Sequence, residues 1–125
     1  MKSDPILIVD DNAVNLKLVK ILLATEGYQH IETATTAEEA LKILDTFKPR
    51  LILMDIQLPG MDGIELTRTL KSDPKFKDVI ILAITAYAMQ GDKERILAAG
   101  CDGYIAKPID IRSLPDMIEG YLKNE

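Results

Sequence analysis

The feature that most restricts the fold of this chain is the run Leu51-Ile52-Leu53-Met54-Asp55, in which four apolar residues end in a carboxylate. The run lies between Lys48-Pro49 and Pro59-Gly60, and its residues do not alternate between apolar and polar. Such an unbroken apolar run is typical of a strand covered on both faces, as in a parallel sheet flanked by helices. Asp55 is therefore predicted to lie at the open carboxyl end of a buried strand.

Three further runs share this character, and polar residues follow each of them. Residues 6–9 precede Asp10 and Asp11, residues 79–84 precede Thr85, and residues 103–106 precede Lys107. In a parallel sheet such strand ends lie at one edge, where open α/β proteins bind their ligands. The sequence therefore predicts that three aspartates, a threonine and a lysine meet in one crevice.

Helix signals separate the strands, so that strands and helices alternate five times. Asn12 can cap a helix from about residue 13 to 25, and Gly27 can end it. After a weak strand near residues 30–34, Thr36 with Glu39 forms a capping box for a helix to about residue 47. Three more helices are predicted, near residues 64–72, 90–99 and 110–122. The pattern predicts an α/β fold with a five-stranded parallel sheet, five helices on its two faces, and one domain over residues 1–125.

Composition excludes several classes of protein. A chain of 125 residues can bury a full core as one domain, and its net charge of −5 argues against general affinity for nucleic acid or anionic membranes. No apolar run is long enough to cross a bilayer, and the first five residues carry no secretion signal. The single cysteine, Cys101, suits a reducing compartment. We therefore expect a soluble cytoplasmic protein.

The predicted crevice has the composition of a site for a hard divalent cation. Three neighbouring carboxylates repel one another at neutral pH unless a cation neutralises them or their pKa values rise. Oxygen ligands with room for water favour Mg²⁺ or Mn²⁺. A carboxylate beside such a cation can attack phosphorus, which gives an aspartyl phosphate. Lys107 and Thr85 would then contact the phosphoryl oxygens, although each residue taken singly also suits a solvated or capping role.

These residues together resemble the receiver domain of two-component response regulators, over essentially the whole chain. The matching segments are residues 8–12 with Asn15, residues 54–63, residues 83–86 and residues 103–108. The resemblance implies a flavodoxin-like, doubly wound sheet with strand order 2-1-3-4-5. It also implies that Asp55 accepts a phosphoryl group from a phosphohistidine on a sensor histidine kinase or a histidine phosphotransfer protein. The function implied is a signalling switch that catalyses only its own phosphoryl transfer and dephosphorylation.

The resemblance also assigns roles to individual residues of the site. Asp11, Asp55 and the backbone carbonyl of Gln57 would bind Mg²⁺ directly, and Asp10 would act through water. Gln57 and Tyr87 also lie where side chains can hinder or orient an attacking water molecule.

A switch is implied at the next two strand ends. Thr85 would move toward the phosphoryl oxygens while Tyr104 turns inward, and the Lys107-Pro108 peptide bond would be cis. The signal would leave through the last strand and its flanking helices to a protein target, from a monomer or a weak dimer.

Other functions for the same residues remain open at this point. A phosphohydrolase of the haloacid dehalogenase type also uses a strand-end aspartate with Mg²⁺, but it needs a second aspartate two residues later, where this chain has Gln57. A flavin-binding domain needs a phosphate loop rich in Ser, Thr or Gly, whereas residues 10–13 begin with two aspartates and would repel a phosphate unless a cation intervened. Within the receiver family, a stand-alone regulator is favoured over a piece of a larger hybrid kinase, because Met1 comes shortly before the first strand.

Apolar residues cover more than one face of the first helix. At about 100° per residue, one face carries Val14, Leu18, Ile21, Leu22 and Thr25, and this face is predicted to pack on the sheet. A second apolar stripe carries Leu16, Val19 and Leu23. Because exposed apolar patches commonly mark partner sites, Leu16 with Asn15 is predicted to contact the helical bundle that carries the donor histidine. Burial of the stripe against the last helix is the alternative.

Overall fold

The computed structural model describes residues 3–58, 62–85 and 90–123. Helices and strands alternate in these residues as the sequence predicts. In chain order they are β1 (Ile6–Val9), α1 (Ala13–Thr25), β2 (Ile31–Ala34), α2 (Ala37–Leu44), β3 (Leu51–Asp55), α3 (Gly63–Lys71), β4 (Ile80–Thr85), α4 (Gln90–Ala99), β5 (Gly103–Ala106) and α5 (Leu114–Lys123). None of the helices in the described ranges is long and apolar enough to cross a membrane.

The strands form a five-stranded parallel sheet in the order β2-β1-β3-β4-β5, which confirms the predicted topology. Apolar side chains of alternate residues face opposite sides of this sheet and form two separate clusters. Leu7, Ile52 and Ile81 belong to the cluster shared with α2, α3 and α4. Ile6, Leu53 and Leu82 belong to the cluster shared with α1 and α5. The run that ends in a carboxylate is β3, the central strand of the sheet. Every residue of β3 is buried, including Asp55.

The register of the strands brings their carboxyl ends together. Val9 of β1 lies beside Met54 of β3 in a parallel pair. The residues that follow these two along the chain, Asp10 and Asp55, are therefore neighbours. On the other side of β3, Asp55 lies beside Ile84 of β4, directly before Thr85. The polar residues that follow these apolar runs therefore share one edge of the sheet.

Two helices differ in length from their predicted bounds. α2 ends at Leu44, because the N–H groups of Asp45 and Thr46 bond to carbonyls only three residues back, which tightens the chain into a turn. α5 begins at Leu114, which places Pro115 in the first turn. A proline has no N–H to donate, and the first turn is the part of a helix where none is needed.

The predicted orientation of α1 is wrong. Leu16, Val19 and Leu23 are only 6%, 2% and 0% exposed, and they pack with α5 in the second cluster. Val14 and Ile21 are 76% and 55% exposed. Apolar residues surround most of this helix, so the number on a face does not decide which face is buried; three side chains at i, i+3 and i+7 are enough to fill the seam between the sheet and α5. The exposed stripe required for docking through Leu16 is therefore absent, and burial against the last helix is what the structure shows.

Candidate functional site

Three carboxylates meet at the carboxyl edge of the sheet. One oxygen from each of Asp10, Asp11 and Asp55 lies within 4.8 Å of the other two. Asp10 and Asp55 are each 1% exposed, whereas Asp11 is exposed to solvent. The cluster is thus buried on the protein side and open on the side of Asp11, and its donors are hard oxygen atoms close enough to share one divalent cation.

Both oxygens of the Asp55 carboxylate have defined partners. Oδ1 accepts a hydrogen bond from the backbone N–H of Gln57 at 3.0 Å, and Oδ2 is 3.0 Å from the ammonium nitrogen of Lys107. In the same way, Oδ1 of Asp10 accepts from the backbone N–H of Asn12 at 2.9 Å. These contacts fix the orientation of the two buried carboxylates.

The charge of Lys107 is maintained by its acidic neighbours. Partial burial alone would lower the pKa of this lysine, but the hydrogen bond and charge of Asp55, with the charges of Asp10 and Asp11, outweigh it, so that its pKa is raised. Lys107 therefore stays a cation beside Asp55 at neutral pH.

Whereas the charged form of Lys107 is favoured, the ionised form of Asp10 is disfavoured. Burial is the main cause that raises its pKa, from 3.8 to about 6, and a hydrogen bond and charge repulsion from Asp55 add to it. The N–H of Asn12 and the charge of Lys107 act in the other direction without cancelling it. A cation bound among the carboxylates would relieve this cost, so the cluster is a candidate metal centre.

The other predicted residues surround this centre. Thr85 is 2% exposed at the end of β4 and, with Gln57, Asp62 and Ile96, lines a cavity of about 250 Å³ next to the carboxylates. Tyr104 is half-buried on β5 and lies outside the carboxylate cluster.

The peptide bond between Lys107 and Pro108 is cis, as the resemblance implies. Residues 59–61 and residue 86, which belong to the segments that carry the resemblance, lie outside the described residues, and so does Tyr87.

Gly63 belongs to the site, although no role for it was predicted from the sequence. Its N–H donates to the carbonyl of Ile56 at 2.9 Å, which closes the loop that carries Gln57. A Cβ on Gly63 would lie 2.3 Å from the carbonyl oxygen of Asp55 and 2.8 Å from the Cα of Ile56, distances that real Cβ atoms do not show. A glycine in the first turn of a helix, directly after the capping residue Asp62, was the available signal, because glycine is unfavourable in helices.

Gly63→Ala should move the backbone that carries Asp55 and Gln57. We expect its affinity for a divalent cation to fall by roughly 10–100-fold, as for other residues that orient metal ligands, and its free energy of unfolding by about 1–3 kcal/mol. Cation titration and thermal unfolding measure the two effects. Gly120→Ala is the matched control, because a Cβ there meets nothing within 4 Å; equal cation affinity in the two variants would contradict the role of Gly63.

The chain is similar to known proteins over almost all its length. The family model of the response regulator receiver domain matches residues 6–119. The polar-differentiation response regulator DivK of Brucella anthropi is 44% identical over 117 residues, which are 94% of this chain and 94% of that protein.

Solved structures show the same similarity. A receiver domain protein described as CheY-like, from Methanospirillum hungatei, is 35% identical with a TM-score of 0.89, and the match covers 98% of this chain and 95% of that one. The receiver domain of the sensor histidine kinase PA1611 from Pseudomonas aeruginosa, solved with a magnesium ion in its active-site cleft, is 32% identical with a TM-score of 0.87, and the match covers 97% and 98%.

Proposed function

Because the chain belongs to the receiver domains of response regulators, the phosphorylation-dependent switches of two-component signalling, we propose that Asp55 is its phosphoacceptor. The observation that carries this proposal is the placement of Asp55: it ends the central strand, is 1% exposed, and lies 3.0 Å from Lys107 and beside two further carboxylates. Receiver domains are signalling proteins that work with histidine kinases or phosphotransfer proteins.

The proposed step is transfer from a phosphohistidine of the partner to a carboxylate oxygen of Asp55. The oxygen attacks phosphorus, the new P–O bond forms, and the P–N bond breaks with its electron pair going to the imidazole, which takes up a proton from solvent. Lys107, which the acidic cluster keeps charged, would pair with the phosphoryl oxygens. Thr85 would donate its hydroxyl to them as Tyr104 turns inward, so that these two residues report phosphorylation to the surface.

We propose Mg²⁺ as the cation of the site, with Mn²⁺ able to replace it. Asp11, Asp55 and the carbonyl of Gln57 would hold it directly and Asp10 through water, and a set made only of hard oxygens fits such ions. When bound, the ion would supply charge neutralisation for the carboxylates and the phosphoryl oxygens. Gln57 is exposed beside Asp55, where its side chain would influence the access of water and hence the dephosphorylation that the protein catalyses on itself.

The surface proposed to meet the phosphodonor is a groove between α1 and the segment after β5. It has a volume of about 450 Å³, and its lining includes Asn15, Leu18, Lys107 and Ile111. Leu18 is 46% exposed, and Val14 and Ile21 extend the same apolar face of α1. A helical bundle that presents a histidine could cover this face and reach the carboxylates beside it. We therefore assign docking to Leu18 and Asn15, and not to Leu16, which is buried.

Leu18→Ala should slow phosphorylation by the cognate histidine partner roughly 5–30-fold, the effect of 1–2 kcal/mol at an interface residue. Labelling by acetyl phosphate and the melting temperature should change little. Leu97→Ala is the control, because Leu97 is 44% exposed on α4, a helix that packs on the opposite face of the sheet from α1. Equal slowing with both donors, or by both variants, would contradict docking at this groove.

Labelling tests the proposed function directly. With Mg²⁺ and acetyl phosphate, intact-mass measurement should find one phosphoryl group per chain, and none in excess chelator. Labelling that persists in excess chelator would contradict the requirement for a metal ion.

We also propose that residues 1–125 act as a single-domain regulator, since the chain and DivK each cover 94% of the other. Its output would then pass through protein contacts of the last strand and its flanking helices. We propose that the protein acts in the cytoplasm, where the single thiol of Cys101 stays reduced.

A further inference from the structure

A contact near the site joins α4 to the edge strand β5. The ammonium nitrogen of Lys93 lies 5.6 Å from the centroid of the Tyr104 ring. This distance is within the range in which a cation is attracted to the face of an aromatic ring. The contact therefore ties the proposed switch tyrosine to a charged side chain on α4.

α4 holds Lys93 in a fixed place. Ile96 and Ala99 are 1% and 5% exposed and anchor the helix on the first cluster. Lys93 precedes Ile96 by three residues, so both lie on the same side of the helix, and Lys93 is exposed at the border of the buried face. From this border its stem can lie across a ring on the sheet below while its charged end stays in water.

Tyr104 and Thr85 share this face of the sheet. Tyr104 pairs with Ala83 of β4, and Thr85 follows two residues later, so its side chain points to the same side. Ala83 is too small to separate the two. The cavity of about 250 Å³ lies against Thr85 and Ile96, so the region into which Tyr104 would turn is open on the same face.

We propose that Lys93 is a latch, which holds the Tyr104 ring against α4 and opposes its turn toward Thr85. This proposal rests on the switch role proposed for Tyr104 and adds a residue that sets how readily the switch operates. An inward turn removes the ring from beneath the ammonium group, so the attraction is lost in the active arrangement. At an exposed site this attraction corresponds to a factor of about two to five in the equilibrium between the two arrangements. Phosphorylation must overcome this two- to five-fold preference for the outward ring in order to populate the active arrangement.

The test compares Lys93→Gln, which removes the cation, with Lys93→Arg, which keeps it. The chain contains four tyrosines and no tryptophan, so fluorotyrosine labelling with fluorine NMR gives few signals, and Tyr104→Phe identifies the one from Tyr104. Beryllofluoride serves as the phosphoryl mimic. Without it, Lys93→Gln should move the Tyr104 signal toward its beryllofluoride-bound position, a shift of the equilibrium by about two- to five-fold. Its affinity for beryllofluoride should rise by up to the same factor, and Lys93→Arg should match the parent.

Lys77→Gln controls for the loss of one positive charge, because Lys77 is exposed on the loop before β4. If Lys93→Gln leaves both the Tyr104 signal and the affinity as in the parent, or if Lys77→Gln changes them equally, the latch is overturned while the switch stands. If beryllofluoride does not move the Tyr104 signal even in the parent, the switch role of Tyr104 fails and the latch fails with it. In either case phosphorylation of Asp55 is a separate result, read from the mass of the labelled protein.

Discussion

Asp55→Asn should take up no phosphoryl group, either from acetyl phosphate or from a phosphohistidine donor. An amide oxygen at this position carries no negative charge and is a poor nucleophile, and removal of a nucleophile costs roughly 10³-fold or more in rate. Asparagine has almost the shape of aspartate and can still accept the Gln57 N–H, so the fold should persist. Intact-mass spectra measure the uptake, and circular dichroism checks the fold.

The neighbouring carboxylates provide the comparison for this result. Asp11→Asn keeps the acceptor but removes an exposed metal donor, so it should still be labelled, more slowly and with a greater need for Mg²⁺. Asp11→Asn leaves the ion pair between Lys107 and Asp55 in place, whereas Asp55→Asn removes the carboxylate of that pair. A phosphoryl group found on Asp55→Asn would assign the acceptor to another residue.

The metal-free protein should become less stable as the pH rises through about 6. The pKa of Asp10 is raised in the folded state, from 3.8 to about 6, so folding favours its protonated form. This contribution to stability is complete below about pH 4 and is lost as the pH passes the folded-state value. The shift corresponds to about 3 kcal/mol. Because Mg²⁺ competes with that proton, it should raise the melting temperature strongly at pH 7 and weakly at pH 5.

Asp10→Asn isolates this effect from the titration of other groups. The variant should lack the pH-dependent loss, so without metal at pH 7 it should be more stable than the parent by up to about 3 kcal/mol. Denaturant unfolding at several pH values from 4 to 8 gives the difference between the two proteins. A difference that stays constant across this range would show that Asp10 does not titrate in it.

The crevice was predictable because it depends on strand ends alone. An apolar run followed by Asp55 identifies a buried strand, and parallel pairing then brings Asp10, Thr85 and Lys107 to the same edge whatever the helices do. No knowledge of side-chain packing is needed for that step, which is why the α/β class and the carboxylate cluster followed from the sequence pattern, while the strand order came from the resemblance to receiver domains.

The features that were missed depend on contacts between distant elements. The buried face of α1 is decided by the seam with α5, which a helix rich in apolar residues does not reveal by its own periodicity. The need for glycine at Gly63 arises from the carbonyl of Asp55, eight residues earlier, and becomes visible only when the loop is closed. The contact of Lys93 with Tyr104 joins a helix to a strand whose side chains no sequence pattern relates.

The place of β5 at the edge of the sheet would make the proposed phosphorylation and the proposed recognition of targets separable by mutation. Asp10 and Asp11 follow β1 and Asp55 ends β3; both strands have strand neighbours on both sides, whereas β5 has β4 alone. Substitutions on the solvent side of β5 and α4 therefore alter side-chain packing only at this edge of the sheet and leave the central strands in register. A chimera that takes these outer residues from another receiver, but keeps Lys93 and Tyr104, should keep its own rate of phosphorylation and acquire the other protein's targets, so one chemical centre can be connected to many different outputs.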